Sequence, residues 1–333
     1  MKDKKVFKEF VNRSESLVTP ENVSIFSMAT GMFTKISVEA QRKLMRKSTS
    51  ARNYMGFVVE PYSFFLCHEI TDMEKAAAML PEKYKIVPCS IFEHDEPKNY
   101  IIFAIFNSHT SAFWGSRLEM YVVAENLETS LLSWVIVDYD TNTNSFDPGE
   151  GFISSTTAKS IVTTTHEGNV LIDMQNKYDG KRIALEADIK DAPMHPLSQR
   201  IWVEASLSIA YGGKKYAEDS EAFSLIFDPD EMREAIHIPL DKLSIEELSW
   251  YPGLYDPNPS QVACFPYSQH FMTTSKPVKT DIKNAQGLIE EIHNINPTKL
   301  EGMSIKGIKR AISASTIVPL IISVGLLIAL IVK

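Results

Sequence analysis

Three side chains that can do chemistry lie at alternate positions of one apolar run. Arg117, Glu119 and Tyr121 occur in RLEMYVVA, and alternate residues of a strand share a face. A guanidinium can hold a carboxylate or carbonyl ligand, and a neighbouring carboxylate can accept a proton. We therefore take Arg117 and Glu119 as candidate catalytic residues, and both of them with Tyr121 and Trp114 as candidate ligand-binding residues. A surface ion pair, or a buried pair that only holds the fold, is the alternative.

The remaining reactive side chains give weaker signals. Lys159, in TTAKSIVTTT, is a third catalytic candidate because its amine could attack a carbonyl group; the alternative is a lysine that faces solvent. His109 and His166 have no histidine or cysteine neighbours at ligand spacing, so we predict no metal. We find no phosphate loop, dinucleotide fingerprint or nucleophile elbow, and we predict no cofactor.

Short strand-like runs dominate the middle of the chain. Residues 100–107 (YIIFAIFN) form an apolar run typical of a strand buried on both faces. Residues 71–80 predict a helix that an N-terminal Thr or Asp caps and Pro81 ends. Helices are also predicted over 241–249 and 281–301. The further predicted strands are 56–59, 63–67, 117–124, 131–139, 160–165, 170–175, 182–187, 201–210 and 223–227. This pattern predicts a mainly β domain with flanking helices, either a barrel or a sandwich.

The C-terminal residues form the longest apolar stretch. No charged residue occurs from 311 to 332, and the run is long enough for a transmembrane helix. Lys306, Lys309 and Arg310 precede it and only Lys333 follows, which places the main domain in the cytoplasm by the positive-inside rule. We therefore predict a single-pass C-terminal anchor with the lipid bilayer as a partner through 311–332. A buried core helix and a cleaved lipid-anchor signal are the alternatives.

Composition limits the classes of partner. The net charge is −8, with 44% hydrophobic and 23% charged residues, which is an ordinary globular balance without a nucleic-acid footprint. Basic residues cluster in SVEAQRKLMRKS at Arg42, Lys43, Arg46 and Lys47. They could face anionic lipid headgroups or form a solvated helix face.

We divide the chain into four parts on these patterns. They are a basic, partly helical segment over 1–53, a β-rich domain over 54–280, a helical linker over 281–310 and the anchor over 311–333.

Three stretches resemble the acetoacetate decarboxylase-like family. They are 64–87 (FFLCHEITDMEKAAAMLPEKYKIV), 99–115 (NYIIFAIFNSHTSAFWG) and 170–189, and GSRLEMYVVA stands where the family has a Gly-Arg-Glu sequence. The resemblance covers most of 54–280 with sparse identities. It implies a closed β-barrel with helices packed outside and often a homo-oligomer, and it identifies the chain as a divergent member.

The family's catalytic lysines do not carry over. The resemblance implies a Schiff-base decarboxylase of β-keto acids, in which two lysines follow the Gly-Arg-Glu sequence. The matching positions here are Val123, Ala124 and Glu125, and no lysine occurs between Lys98 and Lys159.

Three functions therefore remain open. The first is a membrane-tethered barrel that binds a small carbonyl, carboxylate or lipid-derived molecule in its interior without Schiff-base decarboxylation. The second is a lyase-type enzyme, such as a decarboxylase, hydratase or aldol-type catalyst, that acts on a keto-acid-like substrate. The third is a membrane-anchored scaffold whose partner binds the basic N-terminal segment or the proline- and aromatic-rich stretch 250–271.

Overall fold

The computed structural model describes residues 4–48, 53–274, 282–294, 301–302 and 313, and the fold is mainly β with some helices. The helices are α1 (Lys4–Leu17), α2 (Pro20–Phe33), α3 (Val38–Ser48), α4 (Met73–Ala77) and α5 (Ala285–Asn294). The strands are β1 (Asn53–Val59), β2 (Ser63–Glu69), β3 (Tyr84–Ile86), β4 (Tyr100–Thr110), β5 (Trp114–Asn126), β6 (Leu132–Thr141), β7 (Ser145–Asp147), β8 (Gly151–Ile153), β9 (Thr157–Thr164), β10 (Asn169–Asn176), β11 (Arg182–Asp188), β12 (Met194–Pro196), β13 (Ile209–Tyr211), β14 (Ile226–Phe227), β15 (Glu234–His237), β16 (Leu243–Leu248), β17 (Gln261–Phe265), β18 (Gln269–Thr274) and β19 (Glu301–Gly302).

A 13-stranded sheet forms the centre of the molecule and divides at β4. One edge of β4 pairs with β5, which continues to β6 and β13. The other edge is shared, because β2 pairs with its first half and β1 with its last residues. Two arms follow, one through β2, β17 and β15 to β12, and one through β1 and β18 to β14. The predicted closed barrel is therefore wrong: among the described strands the two arms end apart, and the sheet stays open.

A second sheet in the order β16-β11-β10-β9 covers one face of this sheet, which we name the convex face; we name the opposite face, which carries the other core cluster, the concave face. Leu66, Phe103 and Met120 on the central sheet belong to the same buried cluster as Ile172 and Met174 on β10. Because β4 also contributes Ile102 and Ala104 to the opposite core, its residues are buried on both faces, as its continuous apolar run predicts.

The concave face is filled by side chains of the chain itself. The predicted strand over 201–210 is wrong, since 200–207 forms helical turns and only Ile209–Tyr211 is a strand. A short apolar run does not distinguish a buried strand from a buried helical segment. Trp202 is fully buried there and its indole donates to the carbonyl of Ile91 at 2.8 Å. The expected open interior is thus packed around Trp202.

Of two helices predicted from the sequence, one is confirmed and one is wrong. The helix predicted over 71–80 is confirmed in a shorter form as α4, where the Asp72 carboxylate accepts from the amide of Lys75 at 2.9 Å. The helix predicted over 241–249 is wrong, because Leu243–Leu248 is the edge strand β16. Glu246 and Glu247 of this strand accept hydrogen bonds from Arg182 of β11. These bonds hold a polar edge strand, although its sequence pattern alone predicts a helix.

Of the three N-terminal helices, α1 packs against β1 and β18 of the large sheet, whereas α2 and α3 lie against the short strand β8. Phe10 and Leu17 of α1 share a buried cluster with Met272 of β18 and Ile292 of α5. Gly56 of β1 permits this close approach, since a Cβ there would lie 2.6 Å from the carbonyl oxygen of Ser14. The helices α1, α2 and α3 all lie within the segment 1–53, for which we predict a partly helical structure.

Among the described residues, no helix is long and apolar enough to cross a membrane. The longest, α1 and α2, have 14 residues each, whereas a helical span needs about 20. The predicted span 311–332 lies outside the described residues apart from Ser313. A transmembrane anchor is therefore not found among the residues that the structure describes.

His270 joins α1 to the sheet through two carboxylates. Its Nδ1 lies 2.7 Å from Glu231 and its Nε2 lies 3.4 Å from Glu15 of α1. Burial lowers the pKa of His270, but the hydrogen bond and charge of Glu231, and then the charge of Glu15, outweigh it and raise the pKa above its usual value. A raised folded-state pKa gives stability that is complete below the unfolded pKa and is lost as pH rises through the folded value.

We therefore predict that Glu15 stabilises the fold in acid more than in base. The cost of Glu15→Gln in unfolding free energy, measured with urea, should be larger at about pH 5.5 than at about pH 8.5, on either side of the titration of histidine. Glu9→Gln on the same helix, where Glu9 pairs with Lys5, is the matched control and should show no such difference. An equal cost of Glu15→Gln at both pH values would contradict the prediction.

Candidate functional site

The alternation of β5 brings Arg117, Glu119 and Tyr121 together on the concave side of the sheet, as predicted. Arg117 and Glu119 are 5% and 6% exposed, so the pair is buried and the surface alternative does not apply. We call these three residues the arginine centre. A bulge in the pairing of β5 with β6 falls between Met120 and Tyr121, and it sets Tyr139 of β6 opposite Glu119.

Arg117 is held at both ends of its guanidinium group. Its Nε donates to the Glu119 carboxylate, and its Nη1 donates to the Ser145 hydroxyl at 2.7 Å. Its Cζ lies 4.1 Å from the centre of the Tyr139 ring. Burial lowers the pKa of Arg117, but the charge of Glu119 outweighs it and the net pKa is raised, so the guanidinium stays charged.

Tyr121 completes the centre as a donor. Its hydroxyl donates to the second oxygen of Glu119, and its ring packs edge-on against Trp134 at 5.2 Å between ring centres. Burial, and then the charge of Glu119, raise the pKa of Tyr121 well above its usual value. The phenol therefore stays protonated and acts as a hydrogen-bond donor at neutral pH.

The structure adds a buried lysine that sequence reasoning missed. The ammonium of Lys215 lies 4.4 Å from the centre of the same Tyr139 ring and 3.6 Å from Asp147, and it also bonds to Glu150. Tyr139 in turn donates its hydroxyl to Asp147 at 2.9 Å. Burial raises the pKa of Asp147, although the Glu150 amide and the Lys215 charge oppose the shift.

Lys215 reaches this position because two distant turns meet. Gly149, in the turn between β7 and β8, donates its amide to the carbonyl of Lys215 at 2.8 Å. A Cβ at Gly149 would lie 1.9 Å from the carbonyl oxygen of Lys214, so only glycine fits there. The sequence signals both turns, through Asp147-Pro148-Gly149 and Gly212-Gly213, but not their contact.

The hairpin of β7 and β8 covers the arginine centre, and N-terminal helices hold the hairpin. The Gln41 side chain of α3 accepts from the Phe152 amide at 2.7 Å, and Arg42 donates to the carbonyl of Pro148 at 2.9 Å. Phe33 of α2 stacks on Phe152 at 5.4 Å between ring centres. One member of the predicted basic cluster, Arg42, thus serves an internal contact.

The other candidate residues lie apart from the arginine centre. Trp114 stacks on His109 at 4.6 Å between ring centres and is 37% exposed. Lys159 lies on the second sheet, half-exposed, where its ammonium pairs with Asp173. Hydrogen bonds from Arg182 and then from Lys159 lower the pKa of Asp173 to about 2, which indicates a stable surface ion cluster.

The family's lysine positions have different surroundings here. Val123 belongs to the concave core and Ala124 to the convex core, whereas Glu125 lines a surface cleft. The described residues contain no group of three histidine, cysteine or acidic side chains that could hold a metal ion.

The proline- and aromatic-rich stretch 250–271 contributes mainly to the interior. Trp250, Leu254 and Tyr255 are all buried in the convex core. Only the exposed turn residues of this stretch therefore remain available to a binding partner.

Comparison with known proteins gives a likeness in structure but none in sequence family. No family model matches the chain and no curated protein matches it. It is similar to the crystal structure of acetoacetate decarboxylase from Legionella pneumophila subsp. pneumophila str. Philadelphia 1, with 14% sequence identity and a TM-score of 0.41 over 69% of this chain and 89% of that one. A likeness of this size transfers no residue role and no reaction.

The prediction of a divergent family member with a C-terminal membrane anchor is therefore wrong as made. No family model supports membership, and the described residues contain no helix that could span a membrane. The homo-oligomer and the cytoplasmic location of the main domain stay predictions.

The buried pair gives a prediction about stability. Arg117→Met should destabilise the fold by about 3–5 kcal/mol, because it leaves the Glu119 carboxylate buried without its partner. Arg117→Met combined with Glu119→Gln should be more stable than Arg117→Met alone, since the orphaned charge is gone. Urea unfolding of these two variants and of Glu119→Gln alone measures this, with exposed Arg233→Met as the control. A double variant whose cost is the sum of the two single costs would contradict the coupling.

Proposed function

We propose that this chain is a ligand-binding domain whose arginine centre recognises a small carboxylate or carbonyl compound by hydrogen bonds and charge. The observation that carries the proposal is the uneven pairing of the Arg117 guanidinium. Its Nε is bonded to a carboxylate that lies two residues away on the same strand, whereas its Nη1 has, among the described residues, the neutral hydroxyl of Ser145 as its hydrogen-bond partner.

A ligand carboxylate is a stronger partner for that end than Ser145. Hydrogen bonds between charged groups are about twice as strong as neutral ones, and a carboxylate can accept two parallel bonds from one guanidinium. Glu119 would stay in place and keep the guanidinium oriented, held itself by Tyr121. The ligand would therefore displace Ser145 and leave Glu119 bonded.

Ser145 begins the covering hairpin, so displacement requires this hairpin to move. The hairpin has two strands of three residues each, and its outer contacts are made by Gln41, Arg42 and Phe33. A two-stranded hairpin of this length has little stability of its own. Its movement would open the arginine centre and break the bonds of Asp147 to Tyr139 and Lys215, while the strand pairings of the large sheet would stay in place.

We predict opposite effects for two variants of the full chain in calorimetric titrations with pyruvate and acetoacetate. Arg117→Lys should weaken binding by about tenfold or more, because an ammonium cannot form the planar pair of bonds. Ser145→Ala should tighten binding severalfold, because a competitor for Nη1 is removed and the open state becomes more populated. Ser154→Ala, an exposed serine just beyond the hairpin, should leave both affinities unchanged.

Binding of neither compound to the wild type, or equal affinity for the wild type and Arg117→Lys, would rule out this site.

A second function is favoured by one observation, the position of Lys215. Its ammonium and Arg117 contact the same Tyr139 ring, so an amine and a carboxylate-binding group lie near each other in the interior. In a lyase reaction the free amine of Lys215 would attack the ketone carbon, water would leave, and the resulting iminium would accept the electron pair of the bond broken as carbon dioxide departs. Asp147 or Glu150 would take the ammonium proton first.

Borohydride trapping separates the two functions. If Lys215 forms an imine with acetoacetate, reduction should attach the substrate carbon skeleton to the peptide that contains Lys215, as measured by mass spectrometry. The adduct should vanish in Lys215→Arg and persist in Lys159→Arg, since Lys159 is occupied by Asp173 on the outer sheet. A wild type that binds the compound but forms no adduct supports binding alone.

A further inference from the structure

A surface cleft of about 340 Å³ lies at the end of β5, on the far side of Tyr121 and Val123 from Arg117. The turn between β5 and β6 forms one wall, and the helical turn Arg200–Glu204 forms the other. The cleft is lined by Glu125, Thr129, Ser130, Leu131, Leu132, Arg200, Glu204 and Lys283. Its volume is at the lower end of the range for small-molecule sites.

Four charged side chains line this cleft, two of them acidic and two basic. Glu125 and Glu204 are acidic, and Arg200 and Lys283 are basic. Within the described part of the chain none of the four forms an ion pair, although Arg200 and Glu204 are spaced four residues apart on one helical turn. Two carboxylates and two cations are thus available to a ligand that carries both signs.

The walls are fixed by hydrogen bonds before any ligand binds. In the β5–β6 turn the Asn126 side chain accepts from the amides of Glu128 and Thr129, and its carbonyl accepts from Ser130. The opposite wall is joined to β6, because the Trp134 indole donates to the carbonyl of Ile201 at 3.1 Å. Because the walls are already ordered, the protein loses little conformational entropy when a ligand binds.

The floor of the cleft is apolar. Leu132 is buried, 5% exposed, and belongs to the concave core beneath. A ligand with an aliphatic group could place this group over Leu132 and Leu131 while its charged groups reach the rim.

From these observations we propose that the cleft is a binding site for a small zwitterion of the free amino-acid class. The ligand carboxylate bonds to Arg200 and Lys283, the ligand ammonium bonds to Glu204 and Glu125, and an aliphatic side chain lies over Leu132. This site is independent of the arginine centre, and it shares no lining residue with it.

The test is a calorimetric titration of the full chain with L-leucine, N-acetyl-L-leucine and L-leucinamide. L-leucine should bind, and each blocked analogue, which lacks one of the two charges, should bind about tenfold more weakly or worse. Arg200→Gln and Glu204→Gln should each weaken L-leucine binding by a similar factor. Lys283→Gln gives a further variant should one of these two fail to fold.

Two exposed residues elsewhere provide matched controls. Arg233→Gln and Glu218→Gln make the same changes in charge away from the cleft and should not alter the affinity. The proposal is overturned if L-leucine does not bind, if N-acetyl-L-leucine binds equally well, or if both cleft variants bind like the wild type.

Discussion

The burial of Arg117 beside Glu119 is the constraint on which the concave side of this molecule depends. A charged group in a protein interior is tolerated only with a partner and with its remaining hydrogen-bonding groups satisfied. Glu119 supplies the charge, Tyr121 occupies its second oxygen, and Ser145 takes the far end of the guanidinium. Glu119 and Tyr121 come from β5 of the large sheet, whereas Ser145 comes from the separate hairpin of β7 and β8.

A second cation extends this network across the interior. Tyr139 contacts both Arg117 and Lys215 and donates its hydroxyl to Asp147. Arg117 pairs with Glu119, and Lys215 pairs with Asp147 and Glu150, so each cation has a neighbour of opposite charge. This arrangement explains why the hairpin of β7 and β8 and the turn at Gly213–Lys215 lie against one another, with Gly149 at the point of contact.

Sequence reasoning succeeded where a local pattern decides the outcome. The two-residue period of β5 places Arg117, Glu119 and Tyr121 on one face, the apolar run of β4 predicts burial on both faces, and Asp72 marks the start of α4.

Prediction from the sequence fails where a contact between distant segments decides the structure. The run at 201–210 fits a buried strand or a buried helical turn equally well. In the structure Trp202 lies on a helical turn and fills the space on the concave face. Lys215 carries no local signal, because its role comes from the meeting of two turns. Trp114 was placed in the site by its position in the chain, although its side chain stacks on His109 instead.

The central claim is that the arginine centre can exchange the Ser145 hydroxyl for a ligand carboxylate. A crystal structure of the full chain grown with pyruvate measures this most directly. We expect a carboxylate bonded to the Arg117 terminal nitrogens, Ser145 moved away with its hairpin, and the bond between Arg117 and Glu119 retained. Pyruvate bound elsewhere, with the Arg117–Ser145 bond intact, would contradict it.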